Sequence, residues 1–125
     1  MIGQFQRVVW PGGEHDFCFA IGQLRALEQR CDAGVAVILT RLIGGQFKVD
    51  DIHETLRLGL EGAGMSSRDA VRLIESAYPQ ANLFDLSVAA TRVLAAFISW
   101  PTDKGEDVPE GKEEAVTKEQ ESQSP

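Results

Sequence analysis

Two histidines and two cysteines are the side chains of this 125-residue chain best suited to metal or nucleophilic chemistry, and their spacing argues against both. His15-x-x-Cys18 offers one pair at ligand spacing, but a four-coordinate zinc site needs a second such pair, and Cys31 and His53 stand apart. His15 reads more simply as a residue at the edge of a hairpin. Asp50 and Asp51 are adjacent, hence about 100° apart on a helix, which is the wrong arrangement for two carboxylates sharing a proton. Gly105 to Lys112 is one residue too long for a phosphate loop, and Glu113 stands where a magnesium-binding Ser or Thr is required. Gly59, Gly62 and Gly64 close a helix instead of following a strand, so they make no dinucleotide loop. No G-x-S-x-G elbow is present. The residues therefore assign no catalytic group, no metal ligand and no cofactor, and the expectation is a protein that is not an enzyme.

Charge narrows the partners. The chain carries a net −7, of which residues 101–125, with eight acids and three lysines, hold −5, leaving a nearly neutral body. A basic footprint for phosphate is missing, so neither nucleic acid nor an anionic membrane surface is expected as a partner. The N-terminal MIGQFQRVVW lacks the basic and apolar regions of a secretory leader, which points to a cytoplasmic, reducing setting with Cys18 and Cys31 as small apolar packers.

The elements that would position any site follow from the patterning. A strand over Phe5–Trp10, a turn at Pro11-Gly12-Gly13 with both glycines at positive φ, and a strand over Glu14–Ala20 predict a β-hairpin. Phe17, Phe19 and Ile21 would face one way and Asp16, Cys18 and Ala20 the other. From Ile21 the period becomes helical, with Leu24, Leu27 and Cys31 on one side. A second helix carries Val35, Ile38, Leu39, Leu42 and Ile43 on its buried face and stops at Gly44-Gly45, and Phe47 and Val49 read as apolar plugs in the link that follows.

The most clearly bounded helix is Val49–Met65. Asp50 or Asp51 caps its front, and Gly62 and Gly64 permit the left-handed turn at its end. Ile52, Leu56, Gly59 and Leu60 share one side, while Leu58 falls among Glu54, Arg57 and Glu61, as an ordinary exposed leucine or as a partner contact. Ser66 or Ser67 caps a helix that Pro79 ends, and a last helix runs from Leu83 to Trp100. Its polar strip, Asp85, Arg92 and Ser99, is narrow, so it must be buried on more than one side, as the core of the bundle or as the seam of a homo-oligomer. Asp85 and Arg92 exclude a membrane span. The fold class is thus mainly α: an N-terminal β-hairpin packed on a small bundle of about five helices, one globular domain over residues 1–100, and a disordered acidic C-terminal tail over 101–125 that is either merely solvated or an arm reaching a partner.

An ordered set of positions then carries a resemblance. Leu24-x-x-Leu27-Glu28, Arg41-Leu42 before Gly44-Gly45, Asp50-Asp51 opening a helix, and Arg57-Leu58-Gly59-Leu60-Glu61-Gly62-Ala63-Gly64 are similar to the gene transfer agent family of phage tail assembly chaperones. The likeness runs through Ala70–Glu75 and Val88–Phe97, so that it spans most of residues 10–100. Glu61 and Ala63 depart from the family pattern, where an apolar residue and a glycine are frequent. The resemblance implies an assembly factor that coats the tape measure protein and contacts tail tube subunits before the tube closes. A structural tail protein retained in the particle is the alternative. With that role, wheel geometry puts partner contacts at Arg57, Leu58, Glu61, Val88 and Ala95.

Overall fold

The computed structural model describes residues 2–98; the expected tail, 101–125, and the end of the expected last helix lie outside the described residues. Strands β1 (Gln6–Trp10) and β2 (Gly13–Phe17) pair antiparallel in a register that sets Trp10 opposite Gly13, so Pro11 and Gly12 alone make the connection. Of the two turn glycines only Gly13 takes a positive φ, 120°. Gly12 is needed for another reason: a Cβ there would sit 2.3 Å from the Trp10 ring, which folds back over the turn.

Strand pairing ends at Phe17 and not at Ala20, because the chain leaves β1 to run across a helix. The Cys18 N–H donates to the Gly59 carbonyl at 2.9 Å, so Phe17, Cys18 and Phe19 are buried in succession, and the alternation that would turn Cys18 outward is lost. Ile21, expected beside Phe17 and Phe19, is exposed at the start of the first helix.

Helix α1 (Ile21–Cys31) buries Leu24, Leu27 and Cys31 and stops at Asp32, a left-handed residue with φ 54°. Its last turn is tied to the next helix by the Glu28 carboxylate, which accepts the Val35 N–H at 3.0 Å. Helix α2 (Val35–Gly44) buries Ile38 and Leu42, but Ile43 stands exposed although the spacing placed it on the buried face. Helix α3 (Val49–Gly62) begins as expected and is one turn shorter than expected, since Gly62 stays helical and Gly64 alone turns left-handed, φ 111°. Asp51 is the capping acid, accepting the Lys48 N–H at 2.8 Å. Phe47 packs on the core, whereas Val49 is exposed. Helix α4 (Ser67–Ala77) is capped by Ser66, whose Oγ accepts the Asp69 N–H at 3.1 Å; a 3-10 turn over Tyr78–Gln80 follows, and α5 (Leu83–Ile98) completes the body.

The core surrounds α3, which packs on α1, α4, α5 and β2. Encirclement corrects the wheel reading of α3. Every residue from Asp51 to Leu60 is buried except His53, and Leu58, expected among exposed acids, is only 5% exposed. The crossing by β2 requires the small residues of α3: a Cβ at Gly62 would lie 1.8 Å from the Cys18 carbonyl oxygen, and one at Gly59 would lie 2.9 Å from the Phe17 ring. Helix α5 buries Leu86, Ala89, Ala90, Val93, Leu94 and Phe97 and packs on α2, α3 and β1, the arrangement expected for the core of the bundle.

Candidate functional site

The five residues assigned to partner contacts do not share one surface. Arg57 and Glu61 belong to a charged cluster inside the bundle, where the Arg57 guanidinium donates to Glu54 and Glu61 and reaches Ser67 Oγ at 3.5 Å. Burial by itself would lower the Arg57 pKa, but the hydrogen bonds that it donates to Glu54 and the fields of Glu54 and Glu61 hold it above its ordinary value. This cluster sits where α3 meets the first turn of α4, so it ties two helices together instead of facing solvent. Leu58 is core. On α5, Ala95 is half-buried and Val88 is 41% exposed. Of the five, Val88 alone is an openly exposed apolar side chain.

A second acid lies inside the fold. Asp51 is fully buried and accepts from Arg41 Nη2 at 2.9 Å, while the other Nη2 contact of Arg41 is the Cys31 carbonyl at 3.4 Å. Burial, together with Asp51 and its acidic neighbours, pushes the Cys31 thiol up to about 12, so it is a packed, unreactive group. Cys18 and Cys31 are both free and buried. His15 accepts the Trp10 indole N–H on Nδ1 at 2.9 Å and lines a cleft with Arg7, Asp16, Leu60, Ala63 and Met65. Burial lowers its pKa and the Arg7 charge lowers it further, with Asp16 opposing. Among the described residues no three of His, Cys, Asp and Glu come together as metal ligands, and no helix is long and apolar enough to cross a membrane.

What the fold does present is a set of exposed apolar side chains on several elements. Helices α4 and α5 both pack against α3. Phe97 packs edge-on against Phe19 at 5.2 Å, and Phe19 lies against Gly59, which places the end of α5 beside the end of α3. Helices α3 and α5 therefore run in the same direction. Their N-termini share a pole with the end of α2, which only Gly45–Lys48 separate from α3. Ile43 is 67% exposed near the end of α2 and Phe84 68% at the start of α5, and Val49, Leu83 and Val88 are exposed on α3 and α5, as are Phe5, Val9, Ile21 and Val37 elsewhere. Sequence reasoning took Ile43 and Val49 as interior and overlooked Phe84. The available signal was the i, i+4 spacing of Phe84 and Val88 on a helix already too apolar for one buried face.

Neither a curated protein nor a solved structure matches the chain significantly. A family model does, over residues 6–100, the hairpin and all five helices: the family described as phage tail tube protein, GTA-gp10. With that match spanning most of its length, the chain belongs to this phage and gene transfer agent tail family.

Proposed function

We propose that the chain is a tail assembly chaperone, which binds the tape measure protein transiently in the bacterial cytoplasm and helps tail tube subunits assemble around it. The observation that carries this reading is the set of large apolar side chains left exposed around a packed core, Phe84, Ile43, Val9 and Phe5 among them. A chaperone needs apolar contacts of modest extent and a net charge that limits self-association; the chain has exposed apolar side chains and a net −7, most of it in residues 101–125. The architecture agrees. A tube built from closed rings calls for a broad sheet that continues from subunit to subunit, and the described residues form one two-stranded hairpin.

A structural tail protein retained in the particle is the second reading, favoured by the family's own description as a tail tube protein. Two measurements separate them. Co-expression with the tape measure protein encoded near its gene should render that protein soluble and co-purify it, and mass spectrometry of purified particles should find the chain depleted. Retention in mature particles at a copy number comparable to the tube subunits, with no effect on tape measure solubility, would establish the structural role instead.

A further inference from the structure

We infer that the free edge of β2 at Glu14 and Asp16, with the cleft beside it, is a docking slot for a short extended segment of another protein in which lysine or arginine alternates with an apolar residue. The inference goes beyond the chaperone reading and does not depend on it.

The register fixes which main-chain groups are free. Trp10 and Gly13 close a two-residue turn and so exchange hydrogen bonds, and the alternation of an antiparallel pair makes Val8 with His15 and Gln6 with Phe17 the next bonded pairs. The N–H and C=O groups of Glu14, Asp16 and Cys18 therefore point away from β1. The Cys18 N–H agrees, since it reaches the Gly59 carbonyl of α3 at 2.9 Å. Those of Glu14 and Asp16 have no partner among the described residues. The other edge of the hairpin is less open: the Val9 carbonyl, which points away from β2, accepts from Arg92 Nη1 at 3.4 Å. Beside the β2 edge lies a cleft of about 250 Å³, lined by Arg7, His15 and Asp16 on the hairpin and by Leu60, Ala63 and Met65 at and just beyond the end of α3. An unpaired edge is a template for a further strand, because only extended chain presents acceptors and donors in a matching row. With Cys18 already joined to α3, that strand can pair with Glu14 and Asp16 alone, about three residues of chain.

Side-chain alternation sets the sequence of the occupant. Glu14 and Asp16 share the outer face of the hairpin with Arg7, which contacts each at 3.3 Å; two acids against one arginine leave a net −1. Arg92 stands at the opposite edge and not in the cleft. An added strand sets its outer-face residues beside Asp16 and Glu14 on the side away from Arg7, where a cation is favoured over an acid. The residue between them turns to the inner face, beside His15 and toward Leu60, Ala63 and Met65, where an apolar side chain fits. The same charges disfavour two other occupants. A second copy pairing β2 with β2 would set these acids against their own counterparts, and residues 101–125 bring eight acids and three lysines.

The test uses the full isotope-labelled chain, titrated in NMR with three short capped peptides: alternating Lys and Val, alternating Glu and Val, and the Lys/Val peptide N-methylated along its backbone. The Lys/Val peptide should bind and shift the amides of Glu14, Asp16, Ala63 and Met65. The Glu/Val peptide and the N-methylated peptide should each bind at least about tenfold more weakly. Glu14→Gln with Asp16→Asn, at two positions on the outer face, should weaken Lys/Val binding about threefold or more. Val9→Ser, on the other edge of the hairpin, should leave it unchanged. Equal binding of the N-methylated peptide would show that side chains and not the strand edge are read, and would overturn the inference. So would equal binding of the Glu/Val peptide, shifts centred on another element, self-association that protects the Glu14 and Asp16 amides, or no binding at millimolar peptide. None of these outcomes touches tape measure solubility, which the co-expression assay reads separately.

Discussion

Single residues fail in this fold where backbone approaches backbone. At Gly62 a Cβ would meet the Cys18 carbonyl oxygen at 1.8 Å, and neither the helix nor the crossing strand can move without breaking the Cys18 to Gly59 hydrogen bond. Gly62→Ala should therefore cost about 3 kcal/mol or more in urea unfolding, since overpacking of this kind displaces main chain. Gly64→Ala meets open space and bears only the strain of a φ of 111°, so a loss of about 1 kcal/mol is expected. A pair of glycines two positions apart, alike in sequence, would thus separate clearly. Asp51→Ala removes the acceptor of the Lys48 N–H and leaves the Arg41 guanidinium only the Cys31 carbonyl at 3.4 Å; with Arg41 partly solvated, a loss of about 2 kcal/mol is expected in the same assay.

At the scale of elements, caps and hairpin contacts decide. Ser66 lies outside α4 and satisfies one of its orphan amides, so Ser66→Ala should destabilise by about 1 kcal/mol and speed amide exchange in the first turn of α4 alone. In the hairpin, the neutral His15 ring accepts the Trp10 indole N–H, and its pKa is lowered by burial and by Arg7. The unfolded chain, titrating near 6.5, binds the proton more readily than the folded one, so stability is full above that value and declines as pH falls toward the lower folded pKa. The urea midpoint should drop between pH 7.5 and 5.5, and a His15→Gln variant should show a smaller drop. An unchanged slope in that variant would mean that other groups set the acid dependence.

For the whole molecule, the division between buried and exposed apolar positions makes opposite predictions for similar side chains. Leu56→Ala, at the centre of the ring of elements around α3, should cost about 2–5 kcal/mol. Phe84→Ser with Val88→Ser should leave the unfolding free energy within about 1 kcal/mol, because both side chains are exposed. Calorimetry of both variants checks the pair.

Local structure was largely legible in the chain itself. The Pro-Gly-Gly turn, the helix starts at Ile21, Val35, Val49 and Leu83, the Ser66 cap and the stop at Pro79 all rest on interactions within a few residues, which sequence spacing reports directly. Family membership was legible for a related reason, as an ordered set of such positions. What tertiary structure alone decided is which faces are open. A helical wheel assumes one neighbour and one solvent side, but α3 packs against several elements, so Leu58, Arg57 and Glu54 are interior, and the charges of Arg57 and Glu54 are met by one another. Conversely Ile43, Val49 and Phe84 have the composition of core residues and lie outside it, near the end of α2 and at the starts of α3 and α5, where the packing of the elements leaves them exposed. Burial depends on the relative placement of elements distant in sequence, and no local pattern contains that placement.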